Sequence, residues 1–142
     1  MSQNQLLLIP VFVQIALTFA LLFWLGPARV GALRRGEVQL KDIALGQSAW
    51  PDRITQIANA HNNQYQLPVL FYVAVLTALV THKVDMALVA GAWLFVTSRI
   101  AHAAVYVTDN DVPRRFRTYV VGLFTLAAMW GWLAFRVISE GA

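Results

Sequence analysis

Apolar runs of membrane-crossing length, punctuated by short polar segments, organise this chain. Residues 6–25 are interrupted only by Gln14 and Thr18, and residues 86–107 only by Thr97, Ser98, Arg99 and His102. A third run, residues 119–135, can extend at either end. A spanning helix needs roughly 20 mainly apolar residues, so each run predicts a span. Residues 67–81 are apolar but too short alone, so their helix must include the polar segment upstream. There Gln56, Asn59, Asn63 and Gln66 recur at spacings of three, four and three, which puts them on one helical face. Carboxamides entering a bilayer need partners, because an unsatisfied polar group in hydrocarbon costs several kcal/mol. The stripe should therefore face other helices or a polar ligand.

The pattern predicts an all-α integral membrane protein, a single domain over residues 1–142 built as a four-transmembrane-helix bundle. Its helices run over about 5–27, 52–81, 85–108 and 113–139, with a long loop over about 28–51. Pro27 is expected to kink or end the first helix, and Asp52 to cap the second just after Pro51. Pro68 bends the second helix from within. Helices two and three should be antiparallel neighbours across the short link of residues 82–85. Pro113 suits the first turn of helix four. Ala87 with Gly91, and Ala127 with Gly131, sit four apart and allow close helix contact. The first apolar run has no preceding Lys or Arg and is too long for a typical signal-peptide core, so it is expected to be retained.

Composition supports this reading and limits the alternatives. The chain is 58% hydrophobic and 13% charged, where a soluble domain carries about 25% charged residues. The net charge of +4 is unevenly placed. Arg29, Arg34, Arg35, Lys41 and Arg53 lie in or beside the first connection, and Arg114, Arg115 and Arg117 beside the third. The second connection holds only Lys83. By the positive-inside tendency, connections one and three are cytoplasmic and both termini lie outside the cytoplasm. Arg136 alone argues the other way. The basic excess thus reads as topology, with no nucleic-acid partner. There is no cysteine, so any thiol chemistry must come from a bound small molecule.

Three polar faces converge in this topology. Helix two carries its carboxamides, helix three carries Arg99, His102 and Tyr106 at spacings of three and four, and helix four opens with Arg115, Tyr119 and Gly122. All lie toward the cytoplasmic side. Any one of them reads best as glue between helices, worth about 0.6–2 kcal/mol. The whole set exceeds what helix association needs, and a buried arginine is costly without an anionic partner. No acidic residue lies inside a predicted span, so the anion can be a ligand. A pocket rich in Arg, Tyr, Asn and Gln suits the carboxylates and amides of a peptide-like molecule. His61, His82 and His102 lack ligand spacing, so no metal site is expected.

The segment Asn63-Gln64-Tyr65-Gln66-Leu67-Pro68-Val69-Leu70-Phe71-Tyr72, then Arg99-Ile-Ala-His102-Ala-Ala-Val-Tyr106, then the basic cluster at 114–117 with Tyr119, resembles the MAPEG proteins, the membrane-associated proteins of eicosanoid and glutathione metabolism. The resemblance covers essentially the whole chain and points to a bacterial-type member in the inner membrane. It implies a homotrimer with glutathione bound between subunits near the cytoplasmic face. By position, Asn63 and Gln66 bind the glutathione backbone, and His102 and Tyr106 line the site. Arg115 and Tyr119 are the catalytic pair beside the thiol, with Arg53, Asn59, Arg99 and Arg114 completing the binding set. The implied activity is that of a glutathione-dependent transferase or peroxidase acting on a hydrophobic electrophile or lipid peroxide. A thiol of ordinary pKa, about 8.5, ionises more readily beside arginine.

Three positions depart from the family pattern. Gln66 stands where the family has Glu, and Asn59 where it commonly has Arg. Phe116 follows Arg115, where some members have Ser. Arg53, ten residues before Asn63 on the same face, is the candidate substitute for the missing arginine. The alternative function is a non-catalytic trimeric membrane protein that binds a lipid or a partner. Coupled ion transport is a poor third, since the predicted spans hold no acid.

Overall fold

The computed structural model describes residues 1–46 and 49–140, the last by its backbone alone. Helix α1 (Gln3–Arg34) opens on a capping box. Ser2 Oγ accepts from the Gln5 N–H at 3.3 Å and Gln5 Oε1 accepts from the Ser2 N–H at 2.8 Å. Both Pro10 and Pro27 lie inside α1, so Pro27 does not end it. Proline removes one N–H donor, and a long membrane helix absorbs that loss when its far side is packed. Here Leu25 and Ala32 pack on Ile54, Ile57 and Ala58. The helix stops instead at Gly36, which adopts φ +71°. Around it the Glu37 N–H bonds the Ala32 carbonyl at 3.0 Å and the Gly36 N–H bonds Leu33 at 3.1 Å, the paired closure that a left-handed residue permits. The loop expected from residue 28 therefore begins after Arg34, and it contains the short helix α2 (Leu40–Ile43).

The second span starts at Asp52 but is not one continuous helix. Helix α3 (Asp52–Asn62) passes into a 3-10 turn (Asn63–Tyr65), and α4 (Leu67–Val80) restarts after Gln66, whose backbone is neither helical nor extended (φ −101°, ψ −105°). Pro68 lies in the first turn of α4, where its missing N–H has no intrahelical partner to lose. Asp52 is the first helical residue rather than a cap; Pro51 holds the cap position without a side-chain bond. Helix α5 (Met86–Val107) is capped by Asp85, whose Oδ1 accepts from the Leu88 N–H at 2.9 Å. Helix α6 (Val112–Glu140) begins where Asp111 Oδ1 accepts from the Arg114 N–H at 2.7 Å.

Among the described residues, four helices are long and apolar enough to cross a membrane: Gln3–Arg34, Asp52–Val80, Met86–Val107 and Val112–Ser139. The most extensive packing joins α5 to α6. A Cβ on Gly91 would come within 2.7 Å of Met129 Cγ, so the backbone of α5 meets α6 closely there. Gly131, by contrast, faces open space and Ala127 is exposed, so the contact expected there is not made among the described residues. The main core stacks Phe71 on Phe95 at 4.8 Å with Val96, Leu126, Met129 and Leu133 around them. Asp85 at the start of α5 reaches Arg136 near the end of α6, and Arg53 at the start of α3 reaches the Val107 carbonyl at the end of α5. The spans thus alternate in direction, and the start of α1 and the end of α6 lie at one end of the bundle. The other end carries the polar faces.

Candidate functional site

Asn63, His102, Tyr106, Arg115 and Tyr119 line one concavity of about 220 Å³, with Val112 and Phe116 as its apolar wall. The end of α3 delivers Asn63 to it. In an unbroken helix Asn63 would share a face with Asn59 and Gln66. The backbone stays helical through Asn63, which is half-buried, and breaks only at Gln66; Asn59 and Gln66 are exposed.

Two buried carboxamides that the polar stripe had not singled out hold this break. Gln14 on α1 is fully buried and donates through Nε2 to Gln64 Oε1 at 2.8 Å, and Gln64 Nε2 donates to the Ala60 carbonyl at 2.8 Å. The second bond satisfies a carbonyl at the end of α3, and the first ties the turn to α1. Their signal in the sequence was only that each is a carboxamide in or beside an apolar run.

Behind the cavity lies Arg99. Its relative exposure is 0%, it donates Nη2 to Asn63 Oδ1, and its guanidinium carbon sits 5.8 Å from the Tyr119 ring centroid. Arg99 Nε and Nη1 have no hydrogen-bond partner among the described residues. The sequence placed Arg99 among ligand contacts, but it does not line the concavity. Its reach to a ligand is electrostatic and through Asn63. With Asn63 Oδ1 engaged, the amide N–H pair of Asn63 is the end left for a ligand.

His102 is 3% exposed. Its Nδ1 lies 2.9 Å from the Arg115 carbonyl and 3.2 Å from Thr118 Oγ1. A carbonyl only accepts, so Nδ1 carries the proton in that bond and the Nε2 of a neutral ring presents a lone pair. Nε2 has no partner among the described residues. Tyr106 meets the imidazole edge-on at 5.3 Å and Tyr119 lies 5.8 Å away. Arg115 lies with its guanidinium 4.2 Å over the Tyr106 ring and donates Nη1 to Asn110 Oδ1 at 2.5 Å. Asn110 itself holds φ +52°, a backbone that asparagine tolerates better than most residues. Neither Asn110 nor Thr118 was singled out in the sequence, although each anchors a residue that was.

The remaining candidates lie elsewhere. Arg53 stacks 5.1 Å over Trp24 and approaches Gln56 at 3.5 Å, at the rim formed by α1 and the end of α5. Arg114 turns outward, 65% exposed, and pairs with Asp109 at 2.8 Å. Neither lines the concavity. The cluster Asn63, Arg99, His102, Tyr106, Arg115 and Tyr119 is nonetheless assembled from three spans at one depth. Chemically it offers guanidinium, amide and phenol donors beside one imidazole acceptor, a set that favours an anion with a protonated neighbour.

No individual curated protein and no solved structure matches the chain. The sequence profile of the MAPEG family matches residues 7–135, nearly the full length and all four spans. The chain belongs to the MAPEG family of membrane proteins.

Proposed function

We propose that this protein binds glutathione in the Asn63–His102–Arg115 concavity and uses its thiol on a hydrophobic electrophile or lipid peroxide drawn from the bilayer. One observation carries the reading: a half-buried arginine, Arg115, and the rings of Tyr106 and Tyr119 share a cavity with a buried histidine whose Nε2 has no hydrogen-bond partner among the described residues. Buried polar atoms without partners are uncommon in folded proteins, and this set matches a ligand bearing carboxylates, amides and an ionisable thiol. Glutathione supplies a soft nucleophile there. Arg115 and Tyr119 stabilise negative charge on the sulfur, the Asn63 amide donates to a carboxylate or peptide oxygen, and Arg99 raises the potential behind it. His102 Nε2 accepts a hydrogen from the ligand.

The same reading includes a homotrimer. Asn59, Asn62 and Gln66 are exposed within a span, and lipid cannot satisfy their amides. A neighbouring protomer that covers this surface completes the ligand site with Gln66. The site-bearing end faces the cytosol, and both termini lie across the membrane from it. A second reading, a non-catalytic member that binds a lipid or partner, rests on Gln66, which brings no negative charge to a ligand's amino group.

Calorimetric titration of the purified protein with glutathione tests the proposal. Saturable binding that weakens in Asn63→Ala is expected. Absence of binding in the parent protein, under conditions where it stays folded, transfers the case to the non-catalytic reading.

A further inference from the structure

The face of α6 turned away from the site carries an open crevice with its own cation. Arg117, Val121, Thr125, Ala128 and Trp132 recur at spacings of four, four, three and four, and so line one side of the helix. They border two apolar hollows against α5, of about 260 Å³ and 440 Å³, which meet at Leu94. Together these run about 22 Å from Arg117 to Trp132, at 1.5 Å rise per residue. That exceeds half of a hydrocarbon core about 30 Å thick, so the crevice is deep enough for a full acyl chain from one leaflet.

The three arginines at the start of α6 are not equivalent. Arg114 is neutralised by Asp109. Arg115 is taken by Asn110 and Tyr106 on the site face. Arg117 is exposed, forms no ion pair or hydrogen bond among the described residues, and borders the crevice at its end. A long cationic side chain in the first turns of a spanning helix reaches the headgroup layer while its stem lies along apolar surface. We propose that this crevice seats one acyl chain of an anionic phospholipid, with Arg117 holding the phosphate at its mouth. Charge complementarity selects the headgroup, and the apolar hollows select the chain. The seat is on the opposite face of α6 from the concavity and does not depend on thiol binding.

Native mass spectrometry tests this on delipidated protein, exposed in turn to phosphatidylglycerol and to phosphatidylcholine of identical chains. The parent protein should retain one phosphatidylglycerol per protomer, with about a tenfold preference over phosphatidylcholine. Arg117→Gln should erase the preference, and Arg34→Gln, a cation on α1 outside the crevice, should keep it. Ala128→Phe, which fills the crevice and leaves Arg117 in place, should lose the bound lipid. The proposal is overturned if Arg117→Gln keeps the parent's preference or if Ala128→Phe retains lipid normally. It also fails if palmitate is held and phosphatidylglycerol is not. Because the chain has no native cysteine, Ala128→Cys reports whether a second copy covers the crevice. Ready disulfide formation between copies rules the lipid out.

Discussion

Arg115 lies 4.2 Å over the face of Tyr106, and its Nη1 is held by Asn110 Oδ1 at 2.5 Å. The guanidinium is thereby oriented before any ligand arrives. Stacking on one ring and one hydrogen bond fix its plane and leave other N–H groups to point into the concavity. An oriented donor loses less freedom on binding than a mobile one.

This orientation makes the roles of Arg115 and Asn63 separable. A hydrogen bond to a charged group is worth about 1.5–3 kcal/mol, so Arg115→Ala should raise the pKa of bound glutathione's thiol by about one to two units. Asn63→Ala should weaken binding and leave that pKa nearly unchanged. Ultraviolet thiolate absorbance against pH, with ligand bound, distinguishes them. If Arg115→Ala titrates like the parent, Tyr119 becomes the better activator.

The Gln14–Gln64 bond joins residues fifty positions apart in a fully buried setting. Removing one partner strands the other, which costs about 1–3 kcal/mol. Gln14→Leu should therefore lower the thermal midpoint in detergent. In a double-mutant cycle with Gln64→Leu, the two losses should add to clearly more than the double variant shows. Simple additivity would mean that the pair does not hold the α3–α4 break.

Two glycines should respond to alanine in opposite ways. Gly91→Ala puts a methyl 2.7 Å from Met129 Cγ in the core, and overpacking of this kind typically costs about 1–3 kcal/mol. Gly131→Ala meets nothing within 4 Å and gains helix propensity, up to about 1 kcal/mol. Thermal denaturation of both variants checks this. Should Gly131→Ala destabilise strongly, that face is packed against a partner in the assembly.

Asp85 ties the start of α5 to α6, with Trp132 Nε1 at 2.8 Å and Arg136 Nη1 at 2.5 Å from Oδ2. Burial alone pushes its carboxyl up; the Leu88 N–H, Trp132 and Arg136 outweigh that and hold it below its ordinary value of 3.8. A depressed carboxyl contributes stability that is present above the unfolded-state pKa and is lost as pH falls through the folded one. Stability should decline as pH drops below about 4, and Asp85→Asn should flatten that part of the profile. An unchanged acid limb in Asp85→Asn would remove Asp85 from the account. The same contact matches the charge of Arg136 with that of Asp85.

The spans were legible in the sequence because length and hydropathy are local properties, and a bilayer-length apolar run has few other uses. So was the gathering of His102, Tyr106, Arg115 and Tyr119, since helical spacing and alternating direction are enough to bring those faces to one depth. The helix boundaries were less secure. Pro27 looked like a stop, yet packing of Ala32 on Ile54 and Ile57 carries α1 on to a left-handed Gly36. Within the polar stripe, a uniform helix kept Asn59, Asn63 and Gln66 together. The buried bonds from Gln14 and Gln64 support a break after Asn63, which lines the concavity while Asn59 and Gln66 are exposed. Which arginine touches the concavity was likewise decided in three dimensions. Arg99 is sealed behind Asn63, Arg114 is drawn off by Asp109, and Arg115 is aimed by Asn110. Periodicity ranks residues by face, but side-chain bonds between distant segments decide which atoms remain free, and those bonds form only when the helices pack.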